Sequence, residues 1–156
     1  KDSSEGAEDS LSALAIQVCS AKKLTLHLGG LIMQRHTDPK ALMGQQELLA
    51  ILADIATDLL ASESAVLRAM KVEAAMQDEN AQLHADLARV YVNGAMQRVR
   101  NHAENALATF FDGDALREQL AVTHGWLPLP VNTIEVRRRI AVALVEMNGE
   151  FPELTI

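Results

Sequence analysis

The sequence predicts an all-α fold, an up-and-down helical bundle of three long helices plus one short and one C-terminal helix. Two observations carry this. Apolar residues make up 49% of the chain but aromatics only 3%. The core must therefore be built from Ala, Leu, Val, Ile and Met, a composition of packed helices, whereas sheets favour β-branched and aromatic residues. Apolar residues also recur at three- and four-residue spacing over long stretches, the period of an amphipathic helix. The length of 156 residues fits one domain with a sizeable core.

Residues 1–9 are polar and acidic (Asp2, Glu5, Glu8, Asp9) and read as a linker or loop. The bundle domain is expected at 10–149 and a tail at 150–156. The chain opens on Lys1 and has no Met before Met33, so the expectation is a fragment of a longer protein.

Ser10 is a suitable N-cap for a first helix, with Leu11, Leu14, Ala15, Val18, Ala21, Leu24, Leu28, Leu31 and Ile32 as its stripe. Gly29 and Gly30 fall inside it, either permitting a close crossing or bending the helix. Pro39 ends it by disfavouring helix at the residue before. A second helix is predicted over 43–71, with Leu48, Leu52, Ile55, Leu59, Val66 and Met70 facing inward. Residues 72–79 hold a turn, because one unbroken helix of that length is unusual in a compact domain. The third helix covers 80–111, its stripe running through Leu83, Leu87, Val90, Tyr91, Gly94, Val99, His102, Ala106 and Phe110. Asp112-Gly113 is a turn, and Asp114 caps a short helix to about 123. Residues 125–130 form a loop holding the only Trp. Asn132 and Glu135 predict a capping box for a last helix to about 147, stopped by Asn148-Gly149.

The formal net charge of −7 argues against nucleic acid, whose phosphates need a clustered basic face, and gives little support to a membrane surface. Neither a secretory signal nor a bilayer-length apolar run is present, so the cytoplasm is the default expectation. The single Cys19 sits in an apolar helical pattern and reads as a buried structural thiol.

No residue is nominated as catalytic, cofactor-binding or metal-ligating. None of His27, His36, His84, His102 and His124 has Glu three residues before it, and His-x-x-x-His is absent, so di-iron and zinc patterns fail. Gly29-Gly30 lacks the spacing and preceding strand of a phosphate loop. Ser62 and Ser64 have no nearby His for a hydrolase triad. Asp54 and Asp58, one helical turn apart, read as solvated carboxylates, and Arg137, Arg138 and Arg139 as a solvated basic face. Trp126, flanked by Gly125, Leu127, Pro128, Leu129 and Pro130, reads as an apolar anchor pinning the last helix to the bundle.

One stretch is more specific than periodicity. Residues 52–68, LADIATDLLASESAVLR, resemble the L-A-D…D-x-Y-A-x-E-S-x-x-L-R pattern in the extra C-terminal domain of very-long-chain-type acyl-CoA dehydrogenases, bacterial ones above all. Asp54, Asp58, Ala61, Glu63, Ser64, Leu67 and Arg68 match; Leu60 stands where Tyr is common and Ser62 where Met is common. The stretch from Thr123 to Asn132 and the basic-apolar helix 137–146 look similar too. The resemblance implies a homodimeric flavoprotein that desaturates fatty acyl-CoA at the α,β carbons, a carboxylate base taking the α-proton while the flavin accepts a hydride. FAD, acyl-CoA and the base would belong to preceding domains, leaving this fragment without flavin or activity of its own. The appended bundle would pack on the catalytic core of its own chain, filling space that a second dimer fills in tetrameric relatives. Family members can be membrane-associated in mitochondria, to which this acidic sequence adds little.

Two other readings stay open: a stand-alone protein-interaction bundle docking through Arg137, Arg138 and Arg139, and a small cofactor-binding bundle, which the absent ligand spacings disfavour. An appended bundle should leave one apolar face bare. Glu63, inside the apolar stripe of the second helix, should form a buried ion pair, with Arg89 as first partner and Arg98 as second.

Overall fold

The structure, a computed structural model, describes residues 10–75 and 79–147. The expected linker 1–9, the tail and the Asn148-Gly149 stop lie outside them, as does the middle of the expected 72–79 turn. Among the described residues there are six helices and no strand: α1 (Leu11–Arg35), α2 (Pro39–Met43), α3 (Gln46–Ala75), α4 (Glu79–Ala108), α5 (Gly113–His124) and α6 (Ile134–Glu146).

Ser10 caps α1 as expected: its backbone is extended and its hydroxyl oxygen accepts the Ala13 N–H at 3.2 Å. α1 runs unbroken through both glycines. A Cβ at Gly29 would lie 3.8 Å from Leu52 Cδ2, an ordinary contact, and one at Gly30 would meet nothing within 4 Å. The helix crossing therefore does not demand either glycine.

The segment after α1 departs from expectation. Instead of only ending a helix, Pro39 begins α2, with Asp38 as N-cap accepting the Ala41 N–H at 3.0 Å. Proline suits that first position because its missing N–H would have no partner there. α3 consequently starts at Gln46 rather than 43 and runs on to Ala75.

The core is built from α1, α3 and α4. α3 contributes Leu48, Ile55, Leu59, Ser62, Val66, Ala69 and Val72. On α4 the buried face keeps Leu83, Val99 and Ala106 of the expected stripe and is otherwise richer in alanine: Ala81, Ala85, Ala88, Val92, Ala95, Met96, Ala103 and Leu107. Tyr91, placed inward from the sequence, is exposed. An Ala-rich helix offers its neighbours two alternative apolar faces, so periodicity alone misjudged the rotation by about a residue.

Contacts give the directions. Lys22 meets Glu63 and Gly29 faces Leu52, so α1 and α3 are antiparallel. Arg35, at the end of α1, donates to the Phe110 carbonyl just past α4 and lies over the Phe110 and Phe111 rings, which makes α1 and α4 parallel. The three helices thus run up, down and up. α4 is also the spine for the rest: α5 lies along its C-terminal half through His124–Glu104 at 2.8 Å, and α6 along its N-terminal half through Arg139–Asp86 at 2.9 Å.

Two cap assignments change. Asp112, not Asp114, is the N-cap of α5, and Asp114 pairs with Arg117 in the first turn. Gly113 has φ of 48°, a left-handed conformation that a side chain would strain. At α6 the cap is Thr133, while Asn132 Oδ1 accepts the Ile134 N–H at 3.0 Å and Glu135 pairs with Arg138 at 2.5 Å. The capping box therefore does not form, because Glu135 is turned along the helix towards a full positive charge.

Candidate functional site

The chemistry concentrates at a residue that sequence reasoning passed over. Asp86, on α4, is 2% exposed. Arg139 reaches it from α6 with two parallel bonds, Nε to Oδ2 and Nη2 to Oδ1, both 2.9 Å. From its own helix, Arg89 Nη1 and Gln82 Nε2 each donate to Oδ1 at 3.0 Å. Burial would raise the pKa of this carboxyl. The Arg139 hydrogen bonds and charge, followed by Arg89 and Gln82, outweigh that and hold it below the ordinary range. The sequence signal was present, since Gln82, Asp86 and Arg89 lie one helical turn apart, but nothing local announces the partner 53 residues away.

Arg139 is therefore not part of a solvated basic face. Of the other two arginines, Arg138 pairs with Glu135 at 2.5 Å and Arg137 Nε donates to Thr133 Oγ1 at 3.2 Å. Asp58 is likewise not simply solvated, its side chain being 14% exposed and gripped by Arg98 through both oxygens at 2.6–3.2 Å. Asp54 stays exposed.

The expected partners of Glu63 are thus taken: Arg98 holds Asp58 and Arg89 holds Asp86. Glu63 pairs instead with Lys22 of α1 at 2.5 Å, and both side chains are about two-fifths exposed, at 41% and 43%. The carboxylate sits at the edge of the core stripe, where the neighbouring helix is α1 rather than α4. Cys19 is exposed, contrary to expectation. It follows the buried Val18 by one residue, and a rotation of about 100° carries it off the core face.

Trp126 is half-buried with its ring edge-on to His27, centroids 5.3 Å apart, and His27 Nε2 lies 3.1 Å from Gln119 Oε1. It anchors the α5–α6 crossover to α1, not α6 itself; Leu127, the next residue, is the fully buried plug. Ser62 is wholly buried and Ser64 returns its hydroxyl to the Leu60 carbonyl at 2.8 Å. Burial, and secondarily Arg68, lowers the pKa of His84. Among the described residues no three His, Cys, Asp or Glu side chains cluster to hold a metal, and no helix is long and apolar enough to cross a membrane.

Two surfaces remain. A groove of about 400 Å³ between α4 and α6 is lined by Leu83, Asp86, Glu135, Arg138, Ile140 and Glu146, among others. The second is an apolar outer face on α1 and α3. Exposed Ile16, Cys19, Leu26 and Met33 recur at heptad positions of α1, and Leu49, Ala53, Ala56, Leu60 and Leu67 at those of α3. Leu26 and Leu60 are 77% and 65% exposed. Both stripes border the contact line marked by Lys22–Glu63 and Gly29–Leu52, on the side away from the core, so they form one face. A repeat of 3.5 residues is the seam pattern of a helix that packs against another helix.

Comparison with known proteins accounts for such a bundle. The family model described as the C-terminal domain of acyl-CoA dehydrogenase matches residues 20–124. A probable acyl-CoA dehydrogenase of Bacillus subtilis (strain 168) is 34% identical over 130 residues, 83% of this chain and 22% of that protein. The crystal structure of an acyl-CoA dehydrogenase complexed with FAD from Bacillus anthracis is similar with a TM-score of 0.82 and 31% identity, covering 92% of this chain and 25% of that one. The chain therefore spans a quarter or less of the length of these relatives. The matched span includes the whole 52–68 motif and the three core helices over most of their length, and the chain belongs to the acyl-CoA dehydrogenase C-terminal domain family.

Proposed function

We propose that this bundle is a non-catalytic structural domain of an FAD-dependent acyl-CoA dehydrogenase, docked through its outer α1/α3 face on the catalytic body of its own chain. The observation that carries the reading is the apolar heptad face in a chain that makes up 22–25% of its relatives' length. The remaining three-quarters is the natural occupant, and the 3.5-residue repeat calls for helices on the other side. The parent, on this reading of the very-long-chain type, is a homodimer that desaturates fatty acyl-CoA at the α,β carbons.

Flavin and base lie outside the bundle in this proposal. The α4–α6 groove is lined by Asp86, Glu135 and Glu146 with Arg138 and Arg139, and both arginines are already engaged by Glu135 and Asp86 rather than held ready for a pyrophosphate. Docking through Arg137, Arg138 and Arg139 is less well supported, because each already has a partner within the bundle.

The test is to produce the catalytic body and this bundle separately and follow their association by size-exclusion chromatography with light scattering. The bundle should join the flavin-containing body without carrying flavin itself. Leu26→Glu with Leu60→Glu should abolish joining while leaving the helical circular dichroism intact. A bundle that stays apart from the body, or a double variant that still joins it, overturns the docking face.

A further inference from the structure

α6 is attached in an unusual way. No residue of it is buried, although it is apolar on both sides. Val136, Ile140, Ala143 and Leu144 are half-buried against the bundle, while Ile134, Val142 and Val145 point to solvent, Val145 at 77% exposure. Exposed apolar residues thus sit opposite the docked ones, among three arginines and two glutamates, so hydrophobicity does not by itself decide which side of α6 faces α4. The charged contact decides it. Arg139 lies on the docked side and lands on Asp86, a fully buried carboxylate of α4, with both guanidinium bonds at 2.9 Å. A paired guanidinium and carboxylate enforce register and orientation in a way that sliding apolar surfaces do not.

We infer that Asp86–Arg139 is a clasp, that it selects the docked face of α6, and that its opening releases α6 as a unit while α1, α3 and α4 stay folded. The geometry supports separate release. The loop 125–133 that enters α6 is tied down independently, by Arg100 Nη2 donating to the Pro128 carbonyl at 2.9 Å and by the Val131 N–H donating to Asn93 Oδ1 at 3.0 Å. Leu127 is buried as well. Release therefore hinges after Val131 and leaves α5 and the core contacts untouched. What it uncovers is the apolar floor at Leu83 together with the docked side of α6 itself. Asp86 remains solvable after opening through Arg89 and Gln82, which belong to its own helix.

Hydrogen–deuterium exchange on the 156-residue chain tests this, with peptides from α6 compared against those from α1, α3 and α4. In the unaltered chain α6 amides should exchange faster than the core amides, as expected of a sub-global opening. Asp86→Asn should speed α6 exchange by about two orders of magnitude, the scale of losing one member of a buried pair, with core peptides remaining better protected than α6. Arg139→Gln, which alters only the more exposed partner, should do the same and decides the matter where Asp86→Asn fails to fold. Unchanged α6 exchange in Arg139→Gln overturns the clasp. Equal protection of α6 and the core in the unaltered chain overturns separate release.

Discussion

Removing one at a time the three carboxylates paired with Lys or Arg of another helix should give three different costs, ranked by burial rather than by bond length. In Asp86→Ala a 2%-exposed carboxylate is lost from between Arg139 and Arg89. Loss of one buried partner costs about 3–5 kcal/mol. Arg139 is half-exposed and regains water, and alanine improves helix propensity by about 0.5 kcal/mol, so the net falls to about 2–3 kcal/mol. Asp58→Ala breaks a two-pronged contact whose arginine is 51% exposed, and should cost about 1 kcal/mol. Glu63→Ala breaks the shortest of the three contacts, 2.5 Å to Lys22, yet both groups are about two-fifths exposed and the change should stay within about 0.5 kcal/mol. In urea, with a slope of about 2 kcal/mol/M for a domain of this size, the midpoints should fall by about 1–1.5 M, 0.5 M and less than 0.25 M. A Glu63→Ala loss as large as that of Asp86→Ala would refute the reasoning, because it would mean that distance and not desolvation sets the strength of these pairs.

Cys19 should react fully with a thiol reagent in the folded chain, and Cys19→Ser should change stability by less than about 0.5 kcal/mol, as for a surface site; labelling only after denaturation would contradict its exposure. Leu28→Ala, at 1% exposure in the centre of α1, should cost about 2–5 kcal/mol in the same urea titration. Acid should weaken the fold in two stages. His84 is held below its unfolded value of 6.5, so the unfolded chain binds its proton first and stability falls as pH drops below that value. Asp86 is held below 3.8, so its contribution, present above that pH, is lost as pH falls through the lower folded value. His84→Gln should flatten the first stage of a thermal-melting series between pH 7.5 and about 5 while leaving the second.

Much of the bundle was legible along the chain. Ser10, the spacing of Leu14, Val18, Ala21, Leu24 and Leu28, and the Asp112-Gly113 break mark helices through local physics, since caps, turns and one-sided burial involve residues a few positions apart. The 52–68 motif carried the family for a similar reason, being a contiguous pattern. Local signals also misled where two answers were equally local: Pro39 both ends one helix and begins another, and the alanines of α4 allow more than one inward face.

Partnerships were the other gap. Glu63 was expected in a buried ion pair with Arg89 or Arg98, but it pairs with Lys22 at the edge of the core, because the helix beside it is α1. Asp86 and Arg139 are both ordinary in sequence, 53 residues apart, and meet only because α6 folds back antiparallel along α4. Cys19 faces outward because it follows the buried Val18 by one residue, off the core stripe of α1. The sequence by itself determined which segments are helical and which family they make up, because those depend on short-range backbone and side-chain physics. Which charges meet, and which apolar stripe is left bare, depends on how rigid helices rotate and stack against one another, and only the tertiary structure decided it.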